Sequence, residues 1–185
     1  NVQIISSRPQ SVEAAIRASE NFFRNLDVKL YDFPLEKVAT RKLRIDGNSL
    51  TETQALSSAN IIEVTFVRGD LDKLAVIWPR NDAAGIKALV AESGVAAATY
   101  NVLPVQKYRF SSYPLKGAKR AYEDLKAGLG VFNKKLSGNN FSIIDISLGY
   151  VESEKKEYLQ PVYFFKGLDD VIAYVPAVDD TWTVK

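Results

Sequence analysis

Cysteine, histidine and methionine are all absent from this sequence of 185 residues. Without cysteine there is no disulfide, no thiolate nucleophile and no zinc finger. Without histidine the commonest general base and transition-metal ligand is missing. Any catalysis would have to rest on Asp, Glu, Lys, Tyr or Ser, and any metal site would be all-oxygen, suited to calcium or magnesium. A charge excess is lacking too. With 24 basic and 22 acidic residues the net charge is +2, which gives no global pull toward nucleic acid or an anionic membrane. No apolar run approaches the ~20 residues of a membrane span, and no signal peptide is visible.

Two of these absences suggest an address. The chain begins at Asn1 rather than Met, so we expect a processed or trimmed piece whose leader or anchor lies upstream. The lack of cysteine fits an extracytoplasmic bacterial location, where a free thiol is a liability. What is present is ordinary for a folded domain: hydrophobic residues make up 46% and charged residues 25%, so disorder is not expected.

The chain states one pattern twice. Residues 14–26 (AAIRASENFFRNL) align without a gap to 117–129 (GAKRAYEDLKAGL), matching Ala15 with Ala118, Ala18 with Ala121, Glu20 with Glu123 and Leu26 with Leu129. Ser11 is the expected N-cap of the first helix, and Gly128 and Gly130 end the second, with Pro114 near its first turn. Each helix is followed by a matching strand, IIEVTF at 61–66 and IIDISL at 143–148, and then by a hairpin partner, LAVIW at 74–78 and LQPVY at 159–163. Alternation places Ile62, Val64 and Phe66 on one face, and Ile144, Ile146 and Leu148 on another. Residues 28–45 read as strand, turn, strand, giving the first copy an insertion at 28–48. Asp82 is expected to cap a short helix through Glu92, stopped by Gly94. Pro161 must lie on a sheet edge or at a bulge. Chance likeness between amphipathic segments is the competing explanation; the ungapped match and the shared element order favour duplication. The expectation is an α+β protein of two tandem helix-plus-antiparallel-sheet units packed into one compact body, with units at 1–104 and 105–185.

Nothing in the sequence identifies a reaction. Ser153-Glu154-Lys155-Lys156 has a Ser-x-x-Lys spacing, but it lies in a charged hairpin connection without a Lys-Thr-Gly partner. Asp70 and Asp72, Asp169 and Asp170, and Asp179 and Asp180 are acid pairs without a calcium-loop pattern, at turns where Asp is common for backbone reasons. Gly128-Leu129-Gly130 closes a helix and so is no phosphate loop. Arg41, Lys42 and Arg44 form a candidate basic strip, and Tyr108-Arg109-Phe110 interleaves charge with aromatic rings, but the balanced charge argues against nucleic acid. The aromatics of the last third, Tyr150, Tyr158, Tyr163, Phe164, Phe165, Tyr174 and Trp182, read first as core and second as a stacking platform for sugars or peptides. No catalytic, cofactor or metal residue is assigned, and no cofactor is expected.

Gly149-Tyr150-Val151, then 158–167 (YLQPVYFFKG), then 173–178 (AYVPAV) resembles a bacterial pattern found in extracytoplasmic PepSY-like domains, including the YycI/YycH type of membrane-anchored accessory protein. The resemblance covers residues 141–178 and reaches the first half only through the repeat. It implies a non-enzymatic regulator or binding module, pairing helix with antiparallel sheet and often duplicated. The resulting expectation is an ectodomain that contacts a protein or peptide partner through a sheet edge or groove. It would bind no nucleic acid and touch the membrane only through an upstream anchor. The alternatives are an envelope-polymer hydrolase using Asp or Glu, and an envelope glycan-binding domain using exposed aromatics.

Overall fold

The computed structural model describes residues 9–78, 85–106, 109–136, 140–152, 158–168 and 171–182. Among the described residues are two α-helices and ten strands in two five-stranded sheets. The fold is α+β. The chain divides into two compact units, Asn1–Gly69 with Ala84–Val102, and Asp70–Ala83 with Leu103–Lys185.

In the first unit, α1 (Val12–Asn25) begins at Ser11, whose Oγ accepts the Ala14 N–H at 3.0 Å. Ala15, Ser19 and Phe23 recur every four residues and are buried, so their stripe meets the sheet. Ser19 is tolerated there because its hydroxyl donates to the Ala15 carbonyl at 2.8 Å. The helix stops in a left-handed cap: Asp27 has φ 58°, its N–H donates to Arg24 O, and the Val28 N–H donates to Phe23 O. The sheet runs β2-β1-β3-β5-β6, all antiparallel, from β1 (Ala39–Asp46), β2 (Ser49–Glu52), β3 (Ile61–Phe66), β5 (Ile86–Ala91) and β6 (Gly94–Tyr100). Ile62, Val64 and Phe66 of β3 and Ile86, Ala88 and Val90 of β5 pack with Ala15 and Phe23 in one core.

The second unit takes β4 (Ala75–Ile77), α2 (Ala118–Lys126), β7 (Val131–Phe132), β8 (Ile143–Val151), β9 (Gln160–Gly167) and β10 (Ile172–Pro176). Its sheet order is β4-β8-β9-β10-β7, and β4 runs parallel to β8. Ala121 and Leu125 of α2 pack with Phe165, Ala173 and Val175. Val151, Val162 and Phe164 form a separate cluster. The helix ends at Gly128, φ 82°, where the Leu129 N–H donates to Asp124 O and the Gly128 N–H to Leu125 O.

Several expectations are corrected. Residues 28–33 form no strand; the Phe33 N–H donates to Leu30 O at 2.8 Å, and the local turn leaves Phe33 buried beneath the Arg68 guanidinium, 4.9 Å from its ring centre. The hairpin in this region is β1–β2 instead, turning at Gly47 with φ 59°, a position where a two-residue hairpin loop favours glycine. Residues 86–91, expected in a helix, are β5, because Ile86, Ala88 and Val90 alternate and fill the place beside β3. Asp82 lies outside the described residues. Residues 75–77 do not pair with β3; they form β4 in the other sheet. Pro114 precedes α2 in an extended segment, where its carbonyl accepts the Asp179 N–H. Pro161 sits in the central strand β9, without a bulge beside it. It is accommodated as the second residue of that strand, beyond the β10 ladder, where only its carbonyl is used, by the Ala177 N–H.

The aligned repeat joins unlike environments. Ala15 is buried but its match Ala118 is exposed, and the buried positions 19 and 23 correspond to 121 and 125 with an offset one residue different from that of the alignment. Ile144 and Ile146 are 65% and 45% exposed, where Ile62 and Val64 are fully buried. A register shift between Ile143 and Asp145 turns the strand out of phase there.

Candidate functional site

The buried charges are the first places to look for chemistry. Lys116 and Asp124 are brought together because the residues before α2 run antiparallel to 177–179: Leu115 bridges Val178, and the Lys116 N–H donates to Ala177 O at 2.9 Å. Lys116 Nζ then donates to Asp124 Oδ2 at 2.7 Å and to Asp180 Oδ1 at 2.8 Å. Arg120 joins at 3.4 Å from Asp124 and 3.7 Å from Asp180. Burial alone pulls the Lys116 ammonium toward lower pKa, but hydrogen bonds to Asp124 and Asp180, with their charges, outweigh it, and the pKa is raised. Asp180 is held below the ordinary carboxylate value, first by its hydrogen bond to Lys116 and then by that residue's charge. A lysine held charged is neither nucleophile nor base, so this cluster works as a tether between α2 and the C-terminal turn at Asp180–Trp182.

In the first unit, Glu63 of β3 accepts from Arg41 Nε on β1 at 2.8 Å and lies 3.4 Å from Lys87 Nζ on β5. Its hydrogen bond is the leading cause of a raised Arg41 pKa. The third buried carboxylate, Glu152, accepts the Leu103 N–H at 2.7 Å. Glu63, Asp124 and Glu152 are thus each engaged by donors of their own.

The residues singled out from sequence are dispersed. Arg41 turns to Glu63, Lys42 donates to Gln54 O at 2.9 Å, and Arg44 lies 3.5 Å from Asp46; no continuous basic strip forms on β1. Ser153, Lys156, Asp169, Asp170 and Tyr108 lie outside the described residues. Asp179 accepts from the Thr181 N–H and hydroxyl, which lower its pKa in that order. Among the described residues, no cluster of three or more acidic side chains is arranged to hold a metal ion. Phe164 and Phe165 are buried, Tyr150, Tyr163 and Tyr174 are half-buried, and Tyr158 and Trp182 are exposed. No helix among the described residues is long and apolar enough to cross a membrane.

The sheet edges differ sharply. Strands β2, β4 and β7 have four, three and two residues, short as protected edges usually are. Strand β6 has seven, GVAAATY, with no charge and no proline, and its residues 96–100 are exposed. The Asn101 N–H donates to Gly85 O at 2.6 Å, and Tyr100 pairs with Ile86 in the same ladder. This phase makes Thr99 opposite Lys87 a hydrogen-bonded pair and directs the N–H and C=O of Ala98 and Tyr100 away from β5. Strand β6 is set up by a turn at Glu92-Ser93 that closes onto Gly94, φ 120°. No protein-family model, curated protein or solved structure matches the chain.

Proposed function

We propose that this chain is a non-catalytic binding module of the cell envelope, the water-facing part of a membrane-anchored protein, which takes up an extended segment of a protein or peptide partner alongside β6. The observation that carries the reading is the long uncharged edge at 94–100, beside three edges that are short. Natural sheets guard such an edge with charge, proline or cover unless it is used, and a strand added there gains main-chain hydrogen bonds and alternating side-chain contacts. The engagement of each buried carboxylate supports a binding role over an Asp/Glu hydrolase, whose acid and base need convergent groups with separated pKa values. The absence of cysteine supports the envelope address.

The test is selection of displayed random dodecapeptides on the immobilised protein, followed by amide chemical-shift mapping with a selected peptide. Shifts concentrated at 94–100 are expected. Ala98→Pro removes an outward N–H without touching the β5 ladder, and should weaken binding at least about tenfold while leaving the melting temperature nearly unchanged. Peptides that map elsewhere, or bind Ala98→Pro equally well, would refute the use of this edge.

A further inference from the structure

The C-terminal turn carries a second surface, independent of β6. Tyr113 and Trp182 are 49% and 59% exposed, yet main-chain bonds order the segments that carry them. Tyr113 precedes the segment that pairs with 177–179, with Asp179 N–H to Pro114 O and Lys116 N–H to Ala177 O, each 2.9 Å. The Trp182 N–H donates to Asp179 O at 2.9 Å, and Lys116 and Arg120 hold Asp180 between them. The two rings meet edge to face, centroids 6.3 Å apart at 68°. A buried lysine, costly to desolvate, therefore fastens a turn whose aromatic side chains stay in water.

We infer that Tyr113 and Trp182 form a stacking platform for an uncharged saccharide, with Arg120, Asp180 and Thr181 as its polar rim. The geometry selects among ligands that favour aromatic rings. Aromatic cages and grooves hold a quaternary ammonium or a proline ring between rings; here the edge of one ring already abuts the other, so these two rings enclose no slot. What stays open is single ring faces, which suit the apolar C–H face of a pyranose. The charges nearby carry no positive excess: Lys116 and Arg120 face Asp124, Asp179 and Asp180. Such a rim offers donors and acceptors to hydroxyl groups without attracting a phosphate backbone, which needs an excess of positive charge. Because main-chain bonds order both segments that carry the rings, little backbone ordering entropy is lost on binding.

The sequence has two tryptophans, so Trp78→Phe leaves Trp182 as the sole indole reporter. Chitotetraose, cellotetraose, a proline-rich decapeptide and tetramethylammonium are titrated against this variant by fluorescence and against the wild type by saturation-transfer NMR. One or both saccharides should give a saturable Trp182 response below about 10 mM, in the range open to a shallow site. The NMR signal should fall at least tenfold in Tyr113→Ala and in Trp182→Ala, survive in Trp182→Phe, and be unaffected by Ala98→Pro. A response to the peptide or the ammonium ion but to neither sugar overturns the inference, as does saccharide binding that Tyr113→Ala and Trp182→Ala leave intact, or no saccharide response in wild type.

Discussion

Lys116 Nζ lies 2.7 Å from Asp124 Oδ2, and each side chain is only 6% exposed. A pair so shielded gains strong attraction at the cost of two desolvations, so its removal as a pair and its breakage have different consequences. Lys116→Met strands Asp124 with only Arg120, 3.4 Å away, and should cost about 3 kcal/mol of stability. Lys116→Met combined with Asp124→Leu should recover most of that loss. Urea unfolding of the single and double variants measures this, and additive losses would contradict the coupling.

The same cluster sets an acid limit. Asp180 has a depressed pKa in the folded chain, so its contribution is fully present above the unfolded value near 3.9 and is lost as pH falls through the folded one. Asp179 and Glu13 shift in the same direction, Glu13 through its own main-chain N–H and the Ser11 hydroxyl. Melting temperature should therefore drop below about pH 4. Asp180→Asn should flatten that drop and lower stability at pH 7; a pH profile parallel to wild type would count against Asp180 as a contributor.

The helix ends offer a stabilising change. Asp27 and Gly128 occupy the same cap position after α1 and α2, with φ of 58° and 82°, but only one is glycine. Asp27→Gly relieves the steric cost of the left-handed conformation and removes a negative charge from a helix C-terminus. A gain of about 0.5–1 kcal/mol is expected in denaturant titration. Asp27→Ala keeps the Cβ in that conformation and should gain less.

Gly149 is where backbone approach is closest. A Cβ there would lie 2.5 Å from Phe164 Cε2 and 2.6 Å from the Ala75 carbonyl oxygen, and Ala75 is its partner in the parallel pair. Gly149→Ala should cost about 1–3 kcal/mol. Gly130→Ala, whose closest neighbour is the flexible end of Leu125, should cost less. Thermal melts of the two variants give the comparison.

Helices were the most legible part of the sequence, because their signals are local. Ser11 capped α1 as its side chain required, and Gly128 ended α2 for want of a Cβ. Strand identity was legible where both faces are covered, as in β3. It failed at 86–91, where the alternation of Ile86, Ala88 and Val90 was overridden by a capping signal from Asp82. Pairing was not legible at all for β4: the shortest connection predicts a hairpin with β3, and only the tertiary arrangement sends Ala75–Ile77 to β8. The surfaces were hidden for a similar reason. Nothing local marks β6 as an edge, and Trp182 looked like core because alternation alone cannot say which rings lie beyond the last strand.

The excursion of residues 70–83 into the second unit has a consequence for synthesis and dissection. Strand β4 leaves the ribosome long before β8, the strand it joins, so it must wait while β5, β6 and α2 are synthesised. Such distant pairing is slow to form. No single cut of the chain separates the units intact: a fragment starting at Leu103 lacks its own edge strand, and one ending at Val102 carries a stray apolar strand. The two halves are thus laced by connectivity, and a protease nick between them should release pieces less stable than the units they came from.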